Sequence, residues 1–319
     1  MPKEQQVYAY SAVLMGSPIL LKLFEHNDAL ARQVFRLIKH QENLLTANRS
    51  PSEVMNISLA AGVRPVRVNP SVLELVRIAK SVSLLPGSLF NLTIGPLVKC
   101  WKIGFHGNRV PSEEELQSRL SLCNPHDVLL DDIAQTVFLA KTGMEIDLGA
   151  IAKGYIADCV QAFLRQKGVS NALINLGGNV QTLGKPPGAT GWLIGLRKPF
   201  AASDELVGII EVTNRSVVTS GIYERFLEQD GQIYHHILDA NTGYPLDNEL
   251  LSVTIISERS IDGDIYTTLF YGMGMKKSID YLSDLPDIEA IFITRDKQVI
   301  CSSQHHFRFT LLDHGFHQR

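Results

Sequence analysis

Asp264 and Thr268, in the segment SIDGDIYTTLF at 260–270, stand four residues apart. On a helix that spacing puts both side chains on one face. Two hard oxygens so placed suit Mg²⁺, which takes one or two protein oxygens and leaves its other positions to water and phosphate. The competing reading is that Asp262 or Asp264 caps the helix. A second cluster is EIDLGAIAKGYIADCV, 145–160, where Asp147 ends a predicted strand and a small-residue turn, Gly149–Ala150, opens a helix carrying Lys153 near its start. Unpaired N–H groups, the positive end of a helix dipole and a lysine together suit a phosphate. A plain strand-to-helix turn with a solvated lysine accounts for the same residues.

Two further segments hold candidate chemistry. In YHHILDANTGYPLDN, 234–248, His235 and His236 are adjacent on a predicted strand and so face opposite sides, which argues against a zinc pair. One of them could serve as a base; the alternative is a packing histidine before an NTGYP turn. NLGGNV, 175–180, carries paired glycines that require a sharp turn or a close approach of backbone. It lacks GxGxxG, and GKPPGATG at 184–191 lacks the GxxxxGK[ST] order, so neither nucleotide-binding signature is present.

The elements that must position these residues follow from local patterns. The N-terminal stretch, 1–24, reads as a strand pair. Leu30, Val34, Leu37, Ile38, Leu44 and Leu45 recur at helical spacing behind Asn27 or Asp28 as cap. Ser52 precedes a short helix, Asn69 and Pro70 open another, and Ser112 with Glu115 forms a capping-box pattern for a helix ending near Leu122. DVLLDD, TVFLAK and MEIDL predict a small strand meander, followed by a helix from about Gly149 to Lys167. NALINLGG, WLIGLRK, LVGIIEV, SVVTS and QIYHHIL read as strands, with GKPPGATG as a hairpin connection. Helix clusters and runs of strands without βαβ alternation predict an α+β fold, helix-rich in its N-terminal part and sheet-rich in its C-terminal part. The length, 319 residues, suits one unit over 1–319 or two interwoven lobes.

Composition removes several functions. Hydrophobic residues at 45% and charged residues at 20% describe a globular chain, and a net charge of −3 gives no field for nucleic acid. No window approaches the roughly 18 apolar residues of a membrane span, so no membrane partner is expected. Cys100, Cys123, Cys159 and Cys301 form no CxxC pair, and the N-terminus has no secretory pattern, so a cytoplasmic setting is expected.

Taken in order, the segments resemble the ApbE family, the FAD:protein FMN transferases. The resemblance spans nearly the whole chain. It is carried by Met15–Gly16, SEVMN at 52–56, GSLFNLTIGPLVKCW at 87–101, DLGAIAKGY at 147–155, NLGGN at 175–179, VVTSGIYER at 217–225, HHILDANTGYP at 235–245 and DIYTT at 264–268.

The resemblance implies an ApbE-like, T-fold-related architecture and an enzyme that moves FMN from FAD to a Thr or Ser hydroxyl of an acceptor flavoprotein, with Mg²⁺, releasing AMP. It implies that Met15 and Asn56 help enclose the flavin and that Leu89, Phe90 and Asn91 contact the nucleotide. It implies an acidic contact from Asp147, a metal-binding carbonyl at Ala150 and a phosphate-binding Lys153. Asp264 and Thr268 would complete the metal set, and His236, followed by Ile237, would stand at the cofactor as candidate base. The family's GxFD ends here in Asn91 and its GGD variant in Asn179, which keeps hydrogen bonding but drops two charges. Alternatives are an FAD pyrophosphatase yielding FMN and AMP, and a non-catalytic FAD-binding protein.

Overall fold

The computed structural model describes residues 6–49, 51–104, 107, 109–202 and 204–319. In chain order, strands β1 (Tyr8–Leu14) and β2 (Ser17–Leu23) lead into helix α1 (Asp28–Leu45). Then come α2 (Glu53–Leu59), β3 (Val66–Arg67), α3 (Pro70–Ser83), α4 (Gly95–Trp101), α5 (Glu113–Leu120), β4 (Val128–Asp131) and β5 (Thr136–Leu139). Helix α6 (Ala152–Gln166) precedes β6 (Ala172–Leu176), β7 (Asn179–Leu183), β8 (Trp192–Arg197), β9 (Leu206–Val212), β10 (Ser216–Gly221), β11 (Phe226–Gln229), β12 (Gln232–His235) and β13 (Leu250–Ser257). The chain ends with α7 (Ser260–Met273), α8 (Met275–Leu282), β14 (Glu289–Thr294), β15 (Gln298–Cys301), β16 (Phe307–Leu311) and β17 (His317–Gln318). This is the mixed α+β composition expected.

Two compact units partition the chain. The first takes the chain up to Glu42, Lys153–Gly221 and Glu249–Arg319; the second takes Asn43–Ala152 and Ile222–Asn248.

The first unit is built on a nine-stranded sheet in the order β1-β2-β6-β7-β10-β13-β14-β15-β17, antiparallel except for the β15–β17 pair. A three-stranded sheet, β16-β9-β8, packs through Trp192, Val207, Ile210, Phe307 and Phe309 on Val180, Val217, Ile256, Ile291 and Ile293 of the large one. Because side chains alternate along a strand, Val217 enters that core while Ser216 and Val218 face the other way, toward α7, which packs along β10 and β13. Tight turns close the β1–β2 and β6–β7 hairpins. Met15 and Gly16 both adopt positive φ, 52° and 67°, as do Gly177 and Gly178 at 63° and 99°, the backbone a two-residue hairpin turn requires.

The second unit holds α2–α5, a small sheet in the order β3-β5-β4, and the β11–β12 hairpin. Its core gathers Leu97, Trp101, Ile103, Leu116, Cys123 and Leu238. The caps at Ser52, Asn69 and Ser112 form as the sequence indicates, with the full capping box at Ser112 and Glu115.

Three local expectations fail for nonlocal reasons. MEIDL forms no strand and belongs to no sheet, because the Ile146 amide donates to Ser58 Oγ and the Asp147 amide to the Leu92 carbonyl. The third strand of that meander is β3. GKPPGATG closes no hairpin; β7 is flanked by β6 and β10, and β8 pairs with β9, so the loop joins two sheets. The helix after Asp147 begins at Ala152, since Gly149–Ile151 form a turn that returns the Ala152 amide to the Leu148 carbonyl.

Candidate functional site

Helix α7 begins without a cap from its own sequence: Arg259 is the N-cap residue and makes no side-chain bond. The Asp158 carboxylate, on α6, accepts the amides of Ser260 (2.7 Å) and Ile261 (3.0 Å) instead. Neither Asp262 nor Asp264 therefore acts as the cap, and Asp264 is left for another task. It is 6% exposed, with one carboxylate oxygen accepting the Gly154 amide at 2.6 Å and the other the Asn179 side-chain amide at 3.0 Å. Burial lifts its pKa to about 6, against the opposing pull of the Lys153 charge and these two donors.

Gly154 is the third residue of α6, where a helix leaves amides without intrahelical acceptors. A Cβ there would lie 2.4 Å from the Ser260 carbonyl oxygen and 2.6 Å from Ile261 Cα, so only glycine lets the two helix starts approach this closely. Lys153 precedes it and is half-buried. Thr268, one turn beyond Asp264, is half-buried, and its hydroxyl donates to the Asp264 carbonyl oxygen at 3.4 Å, leaving oxygen lone pairs on the same helical face. Met15 sits half-buried at the β1–β2 turn.

Asp264 and Thr268 form a hard-oxygen pair with one carboxylate, a donor set suited to Mg²⁺ and not to zinc. Among the described residues no three His, Cys, Asp or Glu side chains gather as a metal cluster.

In the second unit, the Asp147 carboxylate accepts the Gly149 amide at 2.7 Å and shapes the turn that exposes Ala150. Desolvation raises its pKa, opposed by that bond and by the charges of Arg225 and Lys99. Leu89, Phe90 and Asn91 come together at a cavity of about 350 Å³, lined also by Leu84, Leu85, Cys123–His126 and Asn241. Asn91 is committed to the wall: its amide donates to the Cys123 carbonyl, and its oxygen accepts the Thr93 amide and hydroxyl. Asn56 is exposed on α2.

The histidines divide as strand alternation requires. His235, 3% exposed, engages the Leu246 carbonyl through Nε2 (2.7 Å) and the Ile237 amide through Nδ1 (3.3 Å), which makes it a structural residue. His236 is half-buried, with Nδ1 3.1 Å from the Arg225 carbonyl. A carbonyl only accepts, so Nδ1 carries the proton and Nε2 is the basic nitrogen of that ring. Ile237 is buried, and its carbonyl accepts the Leu246 amide.

The structure thus brings Lys153, Asp264 and Thr268 together in the first unit and Leu89, Phe90 and Asn91 in the second. It adds residues that local patterns did not single out for the site: Gly154, Asp158, Ser260 and, as a bonding partner of Asp264, Asn179. The one sequence signal for them was the small-residue and Asn-rich character of KGY and NLGGN.

The family model described as the ApbE family matches residues 15–292. A protein of Klebsiella pneumoniae (strain 342) named FAD:protein FMN transferase is 55% identical over 98% of this chain and 97% of its own length. Another with that name, from Treponema pallidum (strain Nichols), is 37% identical over 97% of this chain and 90% of its own. Among solved structures, the ApbE protein of Thermotoga maritima superposes with a TM-score of 0.80 at 30% identity, covering 91% of this chain and 94% of that one. The flavin transferase ApbE of Vibrio cholerae gives 0.81 at 25%, covering 96% and 97%. The chain belongs to the ApbE family of flavin transferases.

Proposed function

We propose that this enzyme transfers the FMN half of FAD to a Thr or Ser hydroxyl of an acceptor protein, forming a phosphoester and releasing AMP, with Mg²⁺ at Asp264 and Thr268. The observation that carries the phosphate half of this reading is the buried Asp264 carboxylate, held by Gly154 and Asn179 at the start of α6 beside the Lys153 charge. The flavin half is supported by the shared name of the relatives.

Phosphoryl transfer depends mainly on positioning and charge neutralisation. Asp264 and Thr268 would hold Mg²⁺, the resemblance adding the Ala150 carbonyl, and the ion would supply positive charge to the pyrophosphate. Lys153 takes up charge developing on the phosphate oxygens. The acceptor hydroxyl attacks the FMN-side phosphorus, its proton passes to His236 Nε2, and the bond to the AMP oxygen breaks. The Leu89–Asn91 cavity is assigned to part of the dinucleotide, with Met15, Asn56, Asp147 and Ile237 as further contacts. The cytoplasm is the proposed setting, and no helix is long and apolar enough to cross a membrane among the described residues.

The test is mass spectrometry of an acceptor domain co-expressed with this chain. One FMN adduct on a Thr or Ser, with AMP released in a purified mixture containing Mg²⁺, is expected. Free FMN with an unlabelled acceptor would instead identify a pyrophosphatase, and retained FAD without AMP a binding protein. Asp264→Ala should lower transfer by at least about 100-fold, as removal of a metal ligand does.

A further inference from the structure

We infer that Asn179 is a positioning residue for the Asp264 carboxylate and that its oxygen end is anchored by a buried hydroxyl chain, Ser216 to Ser260 to Asn179. The inference rests on the proposed placement of Mg²⁺ at Asp264. A carboxamide can present either oxygen or nitrogen to a neighbour, and only the nitrogen can donate to a carboxylate. The acceptor-only carboxylate takes the nitrogen, which lies 3.0 Å from it, and the Asn179 oxygen at the other end accepts the Ser260 hydroxyl at 2.7 Å, which anchors the side chain in that orientation. The Ser260 oxygen in turn accepts from Ser216 Oγ at 2.9 Å, whose single proton is shared with the Val180 carbonyl at 3.2 Å. Ser216 and Ser260 are fully buried and Asn179 is 2% exposed, so water does not compete for these positions.

The chain links three elements. Asn179 is the first residue of β7, Ser216 the first of β10, and Ser260 the first of α7, one turn before Asp264. With the Gly154 amide on its other oxygen, the carboxylate is held at both ends, and its rotation about the side-chain bond is set before any cation arrives. Partners of this kind orient a ligand and typically change metal affinity 10- to 100-fold when removed. Replacement of Ser260 by alanine is a clean probe. The α7 amides keep their Asp158 cap, and Ser216 retains the Val180 carbonyl, 3.2 Å away, as an acceptor.

The experiment is calorimetric titration of Mg²⁺ into the full chain mixed with excess FAD and no acceptor, with kcat and the Mg²⁺ KM measured separately. Asn179→Ala should weaken Mg²⁺ binding about tenfold or more while kcat at saturating Mg²⁺ stays within about twofold. Ser260→Ala should weaken it less, and the double variant should match Asn179→Ala alone, because both changes remove one interaction. A space-filling role would instead lower the melting temperature without this coupling. If Asn179→Ala does not fold, Ser260→Ala and Ser216→Ala carry the test. Unchanged Mg²⁺ affinity in the folded variants, with Asp264→Ala inactive, overturns the assignment alone. A wild-type chain that takes up no Mg²⁺ overturns the proposed function and this assignment with it.

Discussion

Both ends of the Asn91 amide are engaged inside the second unit, the nitrogen on the Cys123 carbonyl and the oxygen on Thr93. An aspartate at this position could still accept from Thr93 but would set a negative oxygen against the Cys123 carbonyl. Asn91→Asp should therefore cost about 1–3 kcal/mol of stability, the penalty for an unsatisfied or repelled buried acceptor. Urea unfolding checks this, and an unchanged midpoint would contradict it. Glu289 is a second residue whose surroundings dictate behaviour. It is 1% exposed, and burial alone would raise its pKa, but Ser303 Oγ, the His305 and His306 amides and the His306 ring hold it below the ordinary carboxylate range. A carboxylate depressed in the folded state contributes stability above its unfolded pKa of about 4.3 and loses it as pH falls through the folded value. Glu289→Gln should thus be less stable by about 2–4 kcal/mol at pH 7, and the gap should close below about pH 4. Unfolding curves of both proteins from pH 7 to 3 decide the matter; a gap independent of pH would mean that charge is not what Glu289 contributes.

At the scale of elements, the meeting of α6 and α7 is the feature on which the candidate metal site depends. The two helix starts are bound reciprocally, the Asp158 carboxylate on the α7 amides and the Gly154 amide on the Asp264 carboxylate. Gly154→Ala would drive a methyl into backbone atoms of Ser260 and Ile261, which have no side-chain rotamer with which to yield. Overpacking of this kind costs about 1–3 kcal/mol. Separation of the helices should also lengthen the Gly154–Asp264 bond, so the Mg²⁺ KM should rise together with the loss of stability. A substituted protein of normal stability and normal Mg²⁺ KM would show that the approach is not tight. The four-residue spacing of Asp264 and Thr268, the helix caps and the glycine pair at 177–178 were legible because each is a short-range signal. Asp158 was not, because the amides it caps lie about a hundred positions away and nothing in IADCV marks it. MEIDL misled for the same reason: its apolar alternation is real, but its donors find Ser58 and Leu92 in place of a neighbouring strand.

For the whole molecule, fold class followed from element patterns, whereas the boundaries of the two units did not, since each unit is assembled from separated segments. The loop GKPPGATG shows the difficulty: strand patterns on both sides suggest a hairpin, and only the pairing of β7 with β10 and of β8 with β9 reveals a change of sheet. The partition has a thermodynamic consequence. The first unit contains a nine-stranded sheet and a core that joins it to a second sheet, while the second unit relies on short strands, a two-stranded hairpin and a smaller cluster around Trp101. If the second unit opened, the first would carry residues 43–152 and 222–248 as loops, and loop entropy grows only by about 0.6 kcal/mol for each doubling of length. Opening of the second unit is therefore the lower-energy excursion. Hydrogen exchange followed by mass spectrometry in low urea should show amides of α4, β11 and β12 exchanging before those of β10, β13 and β14. Simultaneous exchange of both sets at every urea concentration would mean that the chain opens as one cooperative body, and that the Trp101 cluster is no weaker than the large sheet.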